Sequence, residues 1–177
     1  YNINMTYPLA FSTWGNEEVE AIKHVIDTDM YTMGKHVKQF EKEFAETFGS
    51  PHAVMVNSGS SANLLMLSLL KWKYKLSGDI IVPVVGWATT YFPISQNGFR
   101  LNFVDVDPNT WNIDVSKIEA AITPETCAIM PVNLLGNSCD YKRIIELCEE
   151  HKLLLIEDNC ESMGAKYHHS YTGTIGL

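Results

Sequence analysis

Short apolar runs recur along the chain at residues 53–56, 80–82, 101–104, 128–132 and 153–156, and apolar residues fall at helical spacing between them. No other feature limits the fold so tightly. A few consecutive apolar residues suit a strand buried on both faces, as in a parallel sheet. Parallel neighbours need a crossover, and intervening helices supply it in right-handed βαβ units. The pattern predicts an α/β fold, a mostly parallel sheet with helices on both faces. The length agrees, since 177 residues suffice for one domain with a full core.

Caps and apolar stripes place the helices. Asn16 can cap a helix whose apolar face is Val19, Ile22, Val25 and Ile26. Val37, Phe40, Phe44 and Phe48 line a second helix that stops at Gly49. Further helices are expected over residues 62–73, 89–96 and 115–122, and Asp140 can cap one that runs to His151. No repeat, low-complexity tract or interdomain linker interrupts the series.

The formal charge of −8 opposes binding to nucleic acid or to an anionic membrane. The apolar stretches fall far short of the roughly 20 residues a bilayer span needs, and no signal peptide is expected at the start. Cys127, Cys139, Cys148 and Cys160 form no C-x-x-C pair, which speaks against a zinc site. Cys127 lies in an apolar run and Cys148 on a helix, as suits reduced thiols of a cytoplasmic protein. The chain opens on Tyr1 and its first methionine is Met5, so a partial sequence is expected.

In such a fold the segments after the strands share one edge of the sheet: residues 57–61, 83–90, 105–107, 133–137 and 157–162. Open α/β sheets hold their ligands at that edge. The last run ends on two acids, Glu157 and Asp158. An aspartate there can keep a basic ring nitrogen protonated, as pyridoxal phosphate chemistry requires. It can equally be a helix cap or ion-pair partner. Asn57-Ser58-Gly59-Ser60-Ser61-Ala62 is a small-residue turn opening a helix, with amides, hydroxyls and the positive helix end available to a phosphate. It is neither a P-loop nor a G-x-G-x-x-G fingerprint, and a plain serine-capped helix start would look the same. Trp87 falls at another strand end, where an indole can cover a flat heteroaromatic ring or pack into the core. Together the three fit one phosphorylated pyridine cofactor.

With these segments the chain resembles the DegT/StrS-type nucleotide-sugar aminotransferases and dehydratases, which have the aspartate-aminotransferase (type I) fold. The similarity runs from Tyr7-Pro8-Leu9 to Gly173-Thr174-Ile175-Gly176. It includes Ser12-Thr13-Trp14, Tyr31-Thr32-Met33-Gly34, Ser58-Gly59-Ser60-Ser61-Ala62-Asn63-Leu64-Leu65, Gly86-Trp87-Ala88-Thr89-Thr90-Tyr91 and Asn133-Leu134-Leu135-Gly136-Asn137. The resemblance implies that residues 1–177 are the amino-terminal part of the large domain of a pyridoxal 5'-phosphate or pyridoxamine 5'-phosphate enzyme. It implies that Gly59 and Ser60 hold the cofactor phosphate, Trp87 stacks on the ring, Asp158 pairs with its nitrogen and Glu161 lies near its oxygen. A homodimer with the active site at the subunit boundary is implied as well.

Aminotransferases of the family usually read Asp-Ala-Ala-Gln around the ring-nitrogen aspartate. The stretch Asp158-Asn159-Cys160-Glu161 is instead similar to the family's 3-dehydratases. That branch implies a histidine where the others have a Schiff-base lysine, and pyridoxamine phosphate held without a covalent link. Its substrates are nucleotide-linked 4-keto-6-deoxy sugars of dideoxysugar and O-antigen synthesis, which lose the C3 hydroxyl while glutamate restores the cofactor amine. In the family that lysine or histidine follows the Gly-Thr-x-Gly element, so the catalytic residue is expected after Leu177 and the smaller C-terminal domain is expected to be absent. His168 and His169 precede Gly173 and read as a polar turn, and Lys166 reads as a surface lysine. Two alternatives stay open: part of a lysine-bearing nucleotide-sugar 4-aminotransferase, and a non-catalytic module kept for cofactor binding or dimerisation.

Overall fold

The computed structural model describes residues 11–177. Tyr7-Pro8-Leu9, where the resemblance begins, lies outside the described residues. Helices α1 (Asn16–Asp27), α2 (Lys35–Phe48) and α3 (Gly59–Trp72) come first. Then β1 (Asp79–Pro83), α4 (Ala88–Gln96), β2 (Arg100–Val104), α5 (Val115–Ala121), β3 (Thr126–Ile129), a 3-10 turn (Leu134–Gly136), α6 (Tyr141–His151) and β4 (Leu154–Leu155) alternate. A hairpin of β5 (Lys166–Tyr167) and β6 (Ser170–Tyr171) follows.

The four central strands pair in parallel in the order β2-β1-β3-β4. Successive residues of a strand point to opposite faces, so a strand apolar throughout needs a helical layer on each side. Both layers are present. Ile81, Ile129 and Leu155 pack with Ile118 of α5 and with Ile144 and Leu147 of α6. Ile80, Val82, Ala128, Met130 and Ile156 pack with Leu67 and Leu70 of α3 and Ile94 of α4. The predicted parallel α/β architecture is the one observed.

Strand order positions the site. The chain leaves β1 toward β2, then crosses back to lay β3 along the other side of β1. Such a reversal opens a crevice outside the carboxyl ends of the strands. A parallel bridge between Val132 and Asp158 continues the β3–β4 pairing to that edge. There the Asn133 amide donates to the Asp158 carbonyl at 3.0 Å and the Asp158 amide to the Pro131 carbonyl at 3.1 Å.

Four local expectations are corrected. Residues 53–56 form no strand: Val54 and Met55 are exposed, and the Met55 amide is held by the Glu41 carboxylate at 2.8 Å. A strand needs a neighbouring ladder, and among the described residues none lies alongside. Asn16 is the first residue of α1 rather than its cap; Gly15 takes the cap position and donates its amide to Glu18 Oε2 at 2.7 Å. Asp140 precedes α6 as expected but does not cap it with its side chain, which accepts from the Tyr167 hydroxyl at 3.1 Å. The apolar face of α1 is not buried: Val19, Ile22 and Ile26 are exposed. Gly49 does end α2 in the left-handed conformation, at φ 70°. His168 and His169 form the exposed turn between β5 and β6. Among the described residues no helix is long and apolar enough to cross a membrane.

Candidate functional site

Asp158 is the centre of the carboxyl edge. It is only 6% exposed, and three donors converge on its carboxylate. Asn63 Nδ2 donates to Oδ2 at 2.9 Å, Thr90 Oγ1 to Oδ2 at 2.7 Å and the Cys160 amide to Oδ1 at 3.1 Å. An ionised carboxylate is an acceptor only and matches a set made entirely of donors. No lysine, arginine or histidine pairs with it among the described residues.

The donors arrive from two helices because of where those helices start. Ser58 caps α3 by accepting the Ser61 amide at 3.2 Å. That leaves Gly59 and Ser60 in the first turn, whose amides have no intrahelical acceptor. The same helix then brings Asn63 to the buried face that Leu67 and Leu70 continue. A Cβ at Gly59 would stand 3.6 Å from Cys160 Sγ, so the start of α3 lies against the loop that follows Asp158. Trp87 is the residue before α4, with its side chain 72% exposed, and Thr90 donates its amide back to the Trp87 carbonyl at 2.9 Å. A Cβ at Gly86, just before it, would meet the Tyr91 hydroxyl and force that side chain to shift. That hydroxyl donates to the Pro83 carbonyl at 2.8 Å. Burial, and secondly the charge of Asp158, push the Tyr91 phenol up to about 12.

Glu161 is exposed, and its Oε2 accepts the Leu135 amide at 2.9 Å, tying the loop after β4 to the 3-10 turn after β3. The neighbouring acid works differently. The Glu157 carboxylate gathers the amides of Gly173, Ile175 and Gly176, each at 2.6 Å. Two consecutive acids thus serve different partners. Gly59, Asp158 and the segment bearing Trp87 are joined by these contacts. Among the described residues no hydrogen bond links Ser60, Trp87 and Glu161 to one another. All three are open to solvent. A cavity of about 730 Å³ adjoins this edge, lined by Phe44, Val54, Met55, Gly59, Cys160 and Met163 among others. Trp87, Asp158 and Glu161 do not line it.

Asn63 and Thr90 are not singled out as carboxylate partners by sequence reasoning. For Asn63 a signal exists, since it is a polar residue on the stripe that Leu67 and Leu70 continue. Thr90 carries none, because a threonine in the first turn of a helix is commonplace.

A model of the DegT/DnrJ/EryC1/StrS aminotransferase family matches residues 12–177. The chain belongs to that family. It is 51% identical over 179 aligned residues to GDP-4-keto-6-deoxy-D-mannose 3-dehydratase of Yersinia pseudotuberculosis, with 99% of this chain and 46% of the relative covered. The E. coli GDP-4-keto-6-deoxy-D-mannose-3-dehydratase with bound hydrated PLP superposes with a TM-score of 0.93 at 50% identity. It covers 97% of this chain and 45% of that one. A GDP-4-keto-6-deoxymannose-3-dehydratase with a trapped PLP-glutamate geminal diamine gives the same TM-score of 0.93 and identity of 50%, covering 97% and 46%. The chain therefore spans about half the length of the curated relatives it matches. The architecture described above is that of this family's structures.

Proposed function

We propose that this chain is the cofactor-binding part of a pyridoxal/pyridoxamine phosphate-dependent nucleotide-sugar 3-dehydratase. One observation carries the reading. The Asp158 carboxylate is buried at the sheet's carboxyl edge, gathers three donors and meets no cationic side chain among the described residues. A buried charge is costly without a partner of opposite sign, and a protonated pyridine nitrogen is such a partner. The rest of the donor set suits the same group. First-turn amides of Gly59 and Ser60, with the Ser60 hydroxyl, would hold a phosphate at the positive end of α3. The exposed Trp87 indole would cover the ring, and Glu161 would lie near the cofactor oxygen. When bound, the pyridine ring supplies an electron sink. This chain's part in the chemistry is to bind, orient and keep the ring nitrogen protonated through Asp158.

The dehydratase is favoured over a transaminase by Asp158-Asn159-Cys160-Glu161. Substrates of the whole protein are then a nucleotide-linked 4-keto-6-deoxy sugar and glutamate. The base is a histidine that follows Gly173-Thr174-Ile175-Gly176 in the longer protein, and the isolated 177-residue chain turns nothing over. A homodimer is part of the reading. It is supported by Leu65, Leu69 and Trp72, which form an exposed apolar stripe along α3. The test is to incubate the full-length protein with cofactor, glutamate and GDP-4-keto-6-deoxymannose and to analyse products by mass spectrometry. A 3-deoxy ketosugar is expected. A stable 4-amino sugar, with a lysine trapped by borohydride, would overturn the reading in favour of the aminotransferase.

A further inference from the structure

We infer that Asn63 and Thr90 are positioning residues that decide which oxygen of Asp158 meets the cofactor ring. They saturate Oδ2, so that Oδ1 is left to accept from the ring nitrogen. The inference rests on the pyridine-cofactor reading above. An ionised carboxylate offers about four acceptor sites, two on each oxygen. Oδ2 uses both of its own, for Asn63 Nδ2 at 2.9 Å and Thr90 Oγ1 at 2.7 Å. Oδ1 uses one, for the Cys160 amide at 3.1 Å, and keeps one. The orientation of the Asn63 amide is fixed independently, because its nitrogen also lies 3.4 Å from the Thr89 carbonyl and so faces two acceptors.

Asn63 and Thr90 are themselves buried, at 6% and 1% exposure, so water does not readily replace either donor. They come from α3 and α4, which pack in one layer over the sheet. Two donors from separate helices set both the rotamer of Asp158 and the plane of its carboxylate. Losing one gives Oδ2 an open site and lets the group rotate, so that the oxygen facing the ring is no longer defined. Bonds to a charged group are among the stronger hydrogen bonds in proteins, which sets the scale of the expected effects.

The test uses the full-length protein loaded with pyridoxamine phosphate labelled with 15N at the ring nitrogen. Two quantities are read: the ring 15N chemical shift across pH, and the cofactor Kd from a fluorescence titration. Asp158→Asn is the reference for a lost carboxylate. Thr90→Val and Asn63→Leu should each weaken cofactor binding roughly tenfold to a hundredfold. Each should also move the ring signal toward that of the reference. Thr90→Ser, which keeps the hydroxyl, should return binding to within about threefold of the natural protein. A purely structural role would alter the melting temperature without moving the ring signal. If Thr90→Val and Asn63→Leu leave shift and affinity unchanged while Asp158→Asn moves them, the positioning inference is overturned and the cofactor reading stands. If Asp158→Asn itself leaves the ring signal unmoved, the cofactor reading fails and the inference with it. Should Thr90→Val not fold, Asn63→Leu decides by the same two measures.

Discussion

Replacing Asp158 by asparagine puts an amide where three donors converge, and at least one donor then faces another across a buried contact. The mismatch should cost about 1–3 kcal/mol of stability, the usual penalty for a buried group left without its partner. Turnover of the full-length enzyme should fall by about a hundredfold or more, the order lost with one preorganised electrostatic contact. Paired denaturant melts and rate assays separate the two effects. Glu157→Gln is a different experiment on the adjacent residue. Its carboxylate holds the amides of Gly173, Ile175 and Gly176, and a glutamine keeps only one oxygen to do so. We expect a loss of about 1.5–3 kcal/mol and faster hydrogen exchange at those three amides, with protection of the β1 core amides retained. At this scale the sequence is informative about Asp158, because an apolar run ending on an acid marks a strand end. It is silent about Glu157, whose partners are backbone amides 16 to 19 residues further on and carry no side-chain signature.

Elements differ in how much they bury, and substitutions should follow that difference. Ile144 on α6 is fully buried in the layer against Ile81 and Ile129. Ile144→Ala should destabilise by about 2–5 kcal/mol through lost burial and the cavity left behind. Ile22 on α1 is 43% exposed, and Ile22→Ala should change stability by less than about 0.5 kcal/mol in the monomeric chain. Denaturant unfolding of both variants checks the pair. The same contrast explains which elements were legible. Strands β1 and β3 announce themselves because burial on both faces leaves little room for polar alternation, whereas the edge strand β2 keeps Arg100 and Phe103 exposed and is marked only by its remaining apolar residues. Residues 53–56 carry the same apolar signature yet lack a paired neighbour among the described residues, and composition cannot report a partner's presence. The β5–β6 hairpin has no sequence signature beyond a polar turn, because His168-His169 contains no glycine or asparagine although His168 has φ 52°. Gly15 rather than Asn16 caps α1, a one-residue difference that either residue type permits.

Across the whole molecule, burial also sets how the chain responds to alkali. It raises the thiols of Cys127 and Cys148 from 9.0 to about 11 and that of Cys139 to about 12, where the charge of Glu157 adds to the effect. Tyr91 moves the same way, from 10.0 to about 12. Each group binds its proton more tightly folded than unfolded. The stability it contributes is therefore complete below its unfolded value and is lost as pH rises through the folded one. Denaturation midpoints should stay level up to about pH 9 and decline between there and about pH 12. Alkylation at pH 8 should mark the exposed Cys160 well before the two buried thiols, Cys139 and Cys148. At this scale the fold class and family are legible, since the motifs at residues 83–90, 133–137 and 157–162 follow strands, although the one at 57–61 does not. The order β2-β1-β3-β4 is not legible, because a short apolar run carries no label of its neighbours. The exposed stripe of Leu65, Leu69 and Trp72 should be covered in the assembled protein, and light scattering of the full-length form at micromolar concentration should report a dimer. The most direct test of the central claim is a crystal structure of the full-length protein soaked with pyridoxamine phosphate. The ring nitrogen is expected within about 2.7–3.2 Å of Asp158 Oδ1, with the phosphate on the first-turn amides of Gly59 and Ser60. Density for the cofactor away from Asp158, or a ring nitrogen facing any other group, would contradict it.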